Sequence, residues 1–168
     1  MPEEETIFSS KIKYTGIYSF KEFYKFCYDW LVDEMDLLVQ ETKYKEKLEG
    51  DAKNVEAEWI AVRKITDYFK FVVKINYKAD RLKEIEINKG GAKIKTNQGS
   101  IEVGVKGMLV RDWGGKFERS GFQKFIRSVY EKWVIQSRVN EFEDRLVGKC
   151  SEFLEQGKAW LDLEGKQT

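Results

Sequence analysis

The alternation of residue types from Phe69 to Tyr77 is the feature that most constrains the fold. Positions 69, 71, 73, 75 and 77 are aromatic or aliphatic, and lysine or asparagine occupies three of the four positions between them. Successive side chains of a β-strand point to opposite faces, so this period of two places the first set on a single face. The stretch therefore predicts a strand with one face in a hydrophobic core.

Similar alternation occurs on both sides of this strand. The other predicted strands cover Thr6 to Tyr14, Leu37 to Leu48 and residues 55–62, 82–88, 92–96 and 101–110. The many charges of the second segment, Leu37 to Leu48, indicate an edge strand or a solvent-facing stretch. Together these segments predict a first strand and then an antiparallel run of six.

Turn residues separate the predicted strands at hairpin spacing. Turns are predicted at Gly50-Asp51, Thr66-Asp67, Gly90-Gly91 and Asn97-Gln98-Gly99. The Gly-Gly pair can adopt the positive φ angles that a two-residue hairpin turn requires. The connections therefore favour a meander, in which each strand pairs with the next.

A helix is predicted directly after the first strand. Ser19 is followed three residues later by Glu22, the spacing at which each side chain can cap a backbone amide of the other. Tyr18 and Phe23 flank this cap at the spacing of a hydrophobic staple. Apolar residues then recur at helical intervals, so we expect this helix to run to about residue 35.

A long C-terminal helix is predicted from Gly121 to Leu163, a stretch of some forty residues. Its apolar positions recur at helical spacing and are Phe122, Phe125, Ile126, Val129, Trp133, Val139, Phe142, Leu146, Cys150, Phe153, Leu154 and Leu161. Gly148 and Gly157 are candidate positions for a bend or a split, because glycine costs about 1 kcal/mol relative to alanine inside a helix.

These elements define an α+β domain. The chain has 168 residues, the usual size of one domain with its own core. We expect a single domain over residues 1–168, with residues 1–5 and 164–168 disordered. The predicted architecture is an antiparallel sheet of about six to seven strands packed on the long C-terminal helix, with one helix after the first strand.

This order of elements resembles the helix-grip fold of the Bet v 1 and START-like superfamily. The residues that carry the resemblance are Phe8 to Tyr14, Ser19 to Met35, Asp36 to Asp112 and Gly121 to Leu163. The resemblance covers nearly the whole chain and rests on the order of elements, without a sequence motif. The chain differs in having one helix where two commonly follow the first strand. The resemblance implies a strongly curved sheet that encloses, with the C-terminal helix, an apolar cavity for lipids, hormones or polyketides.

The resemblance also implies which residues contact a ligand. The candidates are Trp59, Phe69, Phe71, Tyr77, Val105, Tyr130 and Trp133. The alternative interpretation is that these side chains simply fill the core, as inward-facing aromatic residues usually do. Asp112, Trp113 and Lys116 lie in a glycine-rich turn before the long helix, where a flexible lid could cover the cavity. The alternative there is a turn anchored by its tryptophan.

The sequence lacks most of the residues on which catalysis depends. It has no histidine, which removes the commonest general base and transition-metal ligand. Two distant cysteines cannot form a structural zinc site, so we predict neither a metal nor a cofactor. Paired carboxylates occur at Glu56 with Glu58, Glu84 with Glu86, and Asp33 with Glu34 and Asp36. They permit acid–base hydrolysis or cation binding, but alternate carboxylates on a strand are usually solvated surface.

Charge and cysteine content limit the possible partners and location. The formal net charge is +1, so no global field attracts polyanions. Lys89, Lys93 and Lys95 lie in one hairpin without aromatic neighbours, a pattern that favours protection of a sheet edge over nucleic-acid binding. Cys27 and Cys150 are expected to be small buried hydrophobes, a disulfide being the alternative. With no glycosylation sequon and no apolar stretch long enough for a membrane span, these features favour the cytoplasm.

Three functional hypotheses follow. The leading one is a non-enzymatic binding or interaction module that holds an apolar small molecule or lipid between the sheet and the C-terminal helix. The alternative is a structural protein that forms homo-oligomers through Ile135, Val139, Phe142, Leu146 and Phe153 of that helix. An enzyme using the paired carboxylates comes third. A continuous aromatic cavity favours the first hypothesis, and apolar residues exposed on the helix favour the second.

Overall fold

The computed structural model describes residues 3–114, 121–129 and 136–166. The strands are β1 (Glu3–Tyr18), β2 (Leu38–Glu49), β3 (Ala52–Lys64), β4 (Phe69–Lys89) and β5 (Ala92–Arg111). The helices are α1 (Phe20–Asp33), α2 (Gly121–Val129) and α3 (Gln136–Lys166). The predicted α+β class and the single helix after the first strand are confirmed.

The strands form one antiparallel sheet in the order β1-β5-β4-β3-β2. Strands β2 to β5 are a meander, and β1 pairs with the last strand, so β1 and β2 are the two edges. The edge position predicted for β2 is confirmed, and nearly all of its side chains are exposed. Charged side chains on an exposed edge discourage pairing with other chains.

The predicted number of strands is wrong, because the sheet of the described residues has five. The predicted break after Tyr77 is an irregularity inside β4, where the register shifts between Asp80 and Lys83 and Arg81 has φ of 53°. The turn predicted at Asn97-Gln98-Gly99 is also absent, since β5 continues through it. A Cβ atom at residue 99 would lie 2.8 Å from the Arg81 carbonyl oxygen, so Gly99 accommodates the irregular backbone of β4.

The predicted Gly90-Gly91 turn and the helix cap are confirmed. Gly90 and Gly91 both have positive φ, 60° and 83°, as a tight hairpin requires. The hydroxyl of Ser19 accepts a hydrogen bond from the amide of Glu22 at 3.3 Å and so caps α1. The rings of Tyr18 and Phe23 pack edge to face with centroids 6.4 Å apart, as the staple predicts.

Both long helices pack on the same face of the sheet. α3 contacts β1, β5 and α1, and it continues through Gly148 and Gly157 without a split. Gly157 faces Ile12 and Phe23, whose side-chain carbons would lie 3.7 and 3.8 Å from an added Cβ. Disorder was predicted for residues 1–5 and 164–168. Within these segments, residues 3–5 pair with β5 and residues 164–166 form the end of α3.

Candidate ligand-binding groove

The outer side of α1 forms one wall of a groove. The helix buries Phe20, Phe23, Cys27 and Leu31 in the core. A neighbouring side of the helix carries Lys21, Tyr24, Lys25 and Tyr28. Their spacing of three or four residues per turn places them on one side of the helix. With Val39 and Glu41 of β2 and Trp59 of β3, these side chains line a groove of about 310 Å³.

The floor of the groove is held by a chain of two hydrogen bonds. Trp59 Nε1 donates to Tyr24 Oη at 2.6 Å, and Tyr24 Oη donates to Glu41 Oε1 at 2.5 Å. Burial and the bond to Glu41 raise the pKa of Tyr24, because both disfavour the phenolate. Tyr24 therefore stays protonated at neutral pH and fixes the position of the Glu41 carboxylate.

Aromatic rings supply the apolar surface of the groove. The ring of Trp59 lies 4.5 Å from that of Tyr24 and 6.2 Å from that of Tyr28, measured between centroids. Trp59 is only 4% exposed, whereas Tyr28 is 46% exposed. Trp59 is thus a buried floor, and Tyr28 offers a ring that a ligand can contact without any rearrangement of the core.

Charged groups surround this aromatic surface. Lys21 and Lys25 are exposed and form no ion pair within residues 3–114, 121–129 and 136–166. Lys21 and Tyr24 also line a second depression of about 300 Å³, which Tyr44 and Leu82 help to form. The groove can therefore bind an apolar, flat group beside an anionic one, with Glu41 available to accept a hydrogen bond from the ligand.

Behind the floor lies a fully buried pair, Tyr77 and Cys27. The Tyr77 ring packs 4.8 Å from that of Trp59 and 5.1 Å from that of Tyr24. Its hydroxyl faces the Cys27 thiol and has no hydrogen-bond partner in the part of the chain described. Burial raises the pKa of both groups, so the thiol stays neutral and unreactive. Cys27 and Cys150 are buried and unpaired, which confirms that they act as small hydrophobes.

The structure divides the predicted cavity residues between two places. Trp59 and Tyr77 lie beneath α1, whereas Phe69 and Phe71 lie beneath α3, with centroids 5.2 and 6.4 Å from the ring of Phe142. Val105 is buried in the same core and is paired with Ile75 across β4 and β5. Of these five, Trp59 lines the groove. Tyr130 and Trp133 lie outside the described residues.

The predicted lid begins with residues that are firmly held. Asp112 is 1% exposed and pairs with Arg127 of α2 at 3.6 Å. Trp113 Nε1 donates to the Thr66 carbonyl at 2.9 Å, and Lys64 lies 4.7 Å from the centre of the Trp113 ring. These contacts agree with the alternative of a turn anchored by its tryptophan. Lys116 lies outside the described residues, and a lid at this turn stays a prediction.

Sequence reasoning missed most of the groove. The missed residues are Lys21, Tyr24, Lys25, Tyr28, Val39 and Glu41. One signal was present, because Tyr24 and Tyr28 are four residues apart and therefore form an aromatic pair on one side of α1. What the sequence did not reveal is that this side of the helix faces the edge of the sheet rather than its middle.

The described residues contain no group of three or more histidine, cysteine or acidic side chains that could hold a metal ion. None of the helices in these residues is long and apolar enough to cross a membrane. In comparisons with known proteins, no protein-family model, curated protein or solved structure matches the chain.

Proposed function

We propose that the chain is a non-enzymatic binding module that holds a small, flat, apolar molecule with an anionic group in the α1 groove. The observation that carries this proposal is the fixed aromatic floor, in which Trp59, Tyr24 and Glu41 are joined by hydrogen bonds beneath the exposed ring of Tyr28. Binding sites commonly combine such an apolar surface with a few fixed polar groups. Lys21 and Lys25 would bind the anionic group.

The surroundings of the carboxylates support a non-catalytic role. Glu56 pairs with Lys43 at 3.3 Å, and Glu84 pairs with Lys95 at 3.8 Å, all with exposed side chains. The buried carboxylate of Asp112 is neutralised by Arg127. A catalytic acid or base usually lies in a cleft, whereas Glu56 and Glu84 lie at exposed positions and Asp112 is held by an arginine.

The helix-grip resemblance is part of this proposal. It is supported by the pairing of β1 with the last strand and by the packing of α3 across β1 and β5. The strong curvature of the sheet also belongs to the proposal, which moves the ligand from between the sheet and α3 to the α1 groove. A cytoplasmic location is supported by the two unpaired cysteines, because thiols stay reduced there.

A fluorescence titration tests the groove. The probe is 1-anilinonaphthalene-8-sulfonate, whose aromatic rings and sulfonate match the lining described above. We expect saturable binding that Tyr28→Ala weakens about three- to tenfold, the range typical of a lost aromatic contact. Phe125→Ala is the matched control, because it removes a ring that is 64% exposed on α2. Equal losses in both variants would show that the probe binds exposed rings in general.

Self-association is the second candidate, but through α2 rather than through the residues first named for it. Val139, Phe142, Leu146 and Phe153 are all buried in this chain's own core, and Ile135 lies outside the described residues. On α2, Phe122, Phe125, Ile126 and Val129 are 38–71% exposed and share one side of the helix. Light scattering of the wild type and of Phe122→Ser tests self-association. An oligomer that the substitution dissociates supports assembly through α2, and a monomer in both proteins excludes it.

A further inference from the structure

The face of the sheet opposite α1 and α3 carries a hollow of about 580 Å³. Side chains from three adjacent strands line it, including Lys11 of β1, Lys78 of β4 and Lys106 of β5. Tyr77 is buried on the helix side, so its neighbours Asn76 and Lys78 point to the opposite face. The hollow is therefore separate from the α1 groove and on the other side of the sheet.

The fold does not explain the glycine at the floor of this hollow. Gly104 lies in the middle of β5, where glycine weakens a strand because it has no side chain to pack. Its φ is not in the left-handed region, and an added Cβ would come no closer than 4.0 Å to any atom, the nearest being Lys11 Cβ. Neither backbone conformation nor packing thus requires glycine here. The remaining common reason for a strand glycine is the close approach of a ligand.

The lysines around the hollow differ in their counterions, and one carboxylate, that of Glu102 opposite Lys78, also lines the hollow. Lys74 and Lys106 are directly opposite each other across β4 and β5, an arrangement of like charges that destabilises a sheet. Neither of them, nor Lys78, forms an ion pair with any residue in the described ranges. Lys11 is the exception, since it pairs with Glu102 at 3.4 Å, and Glu102 also pairs with Lys13 at 3.6 Å.

We propose that this hollow binds a small phosphorylated molecule, with its phosphate between Lys78 and Lys106 and the rest of the ligand over Gly104. Lys106 and Lys78 supply ammonium donors, and Asn76, which is paired with Gly104, supplies an amide donor. A bound phosphate would neutralise the repulsion between Lys74 and Lys106. None of the described residues that line the hollow is aromatic, so they offer no stacking surface of the kind with which sheets bind single-stranded nucleic acid.

The test is a ¹H–¹⁵N NMR titration of the full chain with inorganic pyrophosphate, with sodium chloride adjusted to keep the ionic strength constant. We expect saturable shifts of the Gly104, Lys106 and Lys78 amide signals. Lys106→Gln should weaken binding about three- to tenfold, as the loss of one charge contact does. Lys93→Gln is the matched control, because it removes the same charge from an exposed position at the β4–β5 hairpin.

Gly104→Val gives a second, independent readout. Valine favours strands and fills the hollow without a backbone clash, so this variant should raise the thermal midpoint while abolishing the pyrophosphate shifts. Shifts that do not saturate, or that Lys93→Gln reduces as much as Lys106→Gln, would overturn the proposal. Affinity that increases with the length of an added oligonucleotide would also overturn it, in favour of a polyanion surface. None of these outcomes depends on the α1 groove.

Discussion

The sheet is covered differently by its two long helices. Beneath α3 the contact is close, since a Cβ at Gly107 would lie 3.1 Å from Cys150 Sγ and 3.5 Å from Leu146 Cγ. Beneath α1 the residues that face the sheet are also buried, but the helix leaves the inner side of β2 uncovered and the α1 groove remains. Inward-facing aromatic residues therefore fill space under one helix and form the floor of a groove under the other.

The largest expected effect on stability comes from removing a buried aromatic ring from the core beneath α3. Phe142 is 4% exposed and contacts both Phe69 and Phe71, so Phe142→Ala should lower the free energy of unfolding by about 3–5 kcal/mol. Urea denaturation measures this loss. Phe125→Ala, at an exposed position of α2, should change stability by less than about 0.5 kcal/mol. Similar losses in the two variants would mean that α3 does not pack as described.

A smaller loss is expected from the hydrogen bonds beneath α1. Trp59→Phe removes the indole donor to Tyr24, and Tyr24→Phe removes the hydroxyl that accepts it. Each change should cost about 1–2 kcal/mol, and the double variant should cost less than the sum because the second change removes a bond already lost. A double-mutant cycle by urea denaturation measures this coupling. Strict additivity would show that the two side chains do not interact.

Sequence patterns predicted the local structure well where that structure depends only on residues that are close in the chain. The alternation in β3 and β4, the Ser19 cap and the Gly90-Gly91 turn all depend on neighbours in the chain, and all are confirmed. Gly99 was misread because its reason is the Arg81 carbonyl on another strand. The groove was missed for the same reason: which side of α1 stays open depends on how far the sheet extends beneath it.

A buried thiol lies beneath each of the two helices, Cys27 on α1 and Cys150 on α3. Both thiols should make the stability of the chain fall at high pH. Burial raises the pKa of Cys150 from 9.0 to about 12, and it raises the pKa of Cys27 as well. Between these values the unfolded chain loses the proton and the folded chain keeps it, so stability is retained below about pH 9 and falls as the pH rises toward 12. The urea midpoint should be lower at pH 10 than at pH 8. A midpoint that stays constant or rises would contradict the burial of these groups.

The smallest effect on stability is expected at the open groove itself. Tyr28 is 46% exposed, and Tyr28→Ala should change the free energy of unfolding by less than about 0.5 kcal/mol. Its effect on ligand binding should be larger, because its ring is the accessible part of the aromatic lining. Thermal denaturation beside the fluorescence titration separates the two quantities. A large loss of stability would assign Tyr28 to the core instead of the groove.

The central claim is that the α1 groove binds a small molecule, and native mass spectrometry tests it most directly. The chain is purified from a lipid-containing host, and its mass is compared before and after denaturation, with Tyr28→Ala and Lys93→Gln as variants. We expect a bound small-molecule mass in the wild type that is reduced in Tyr28→Ala and kept in Lys93→Gln, whose exposed side chain lines neither the α1 groove nor the hollow on the other face. A clean oligomer without any adduct, or an adduct that Tyr28→Ala leaves unchanged, would contradict the claim.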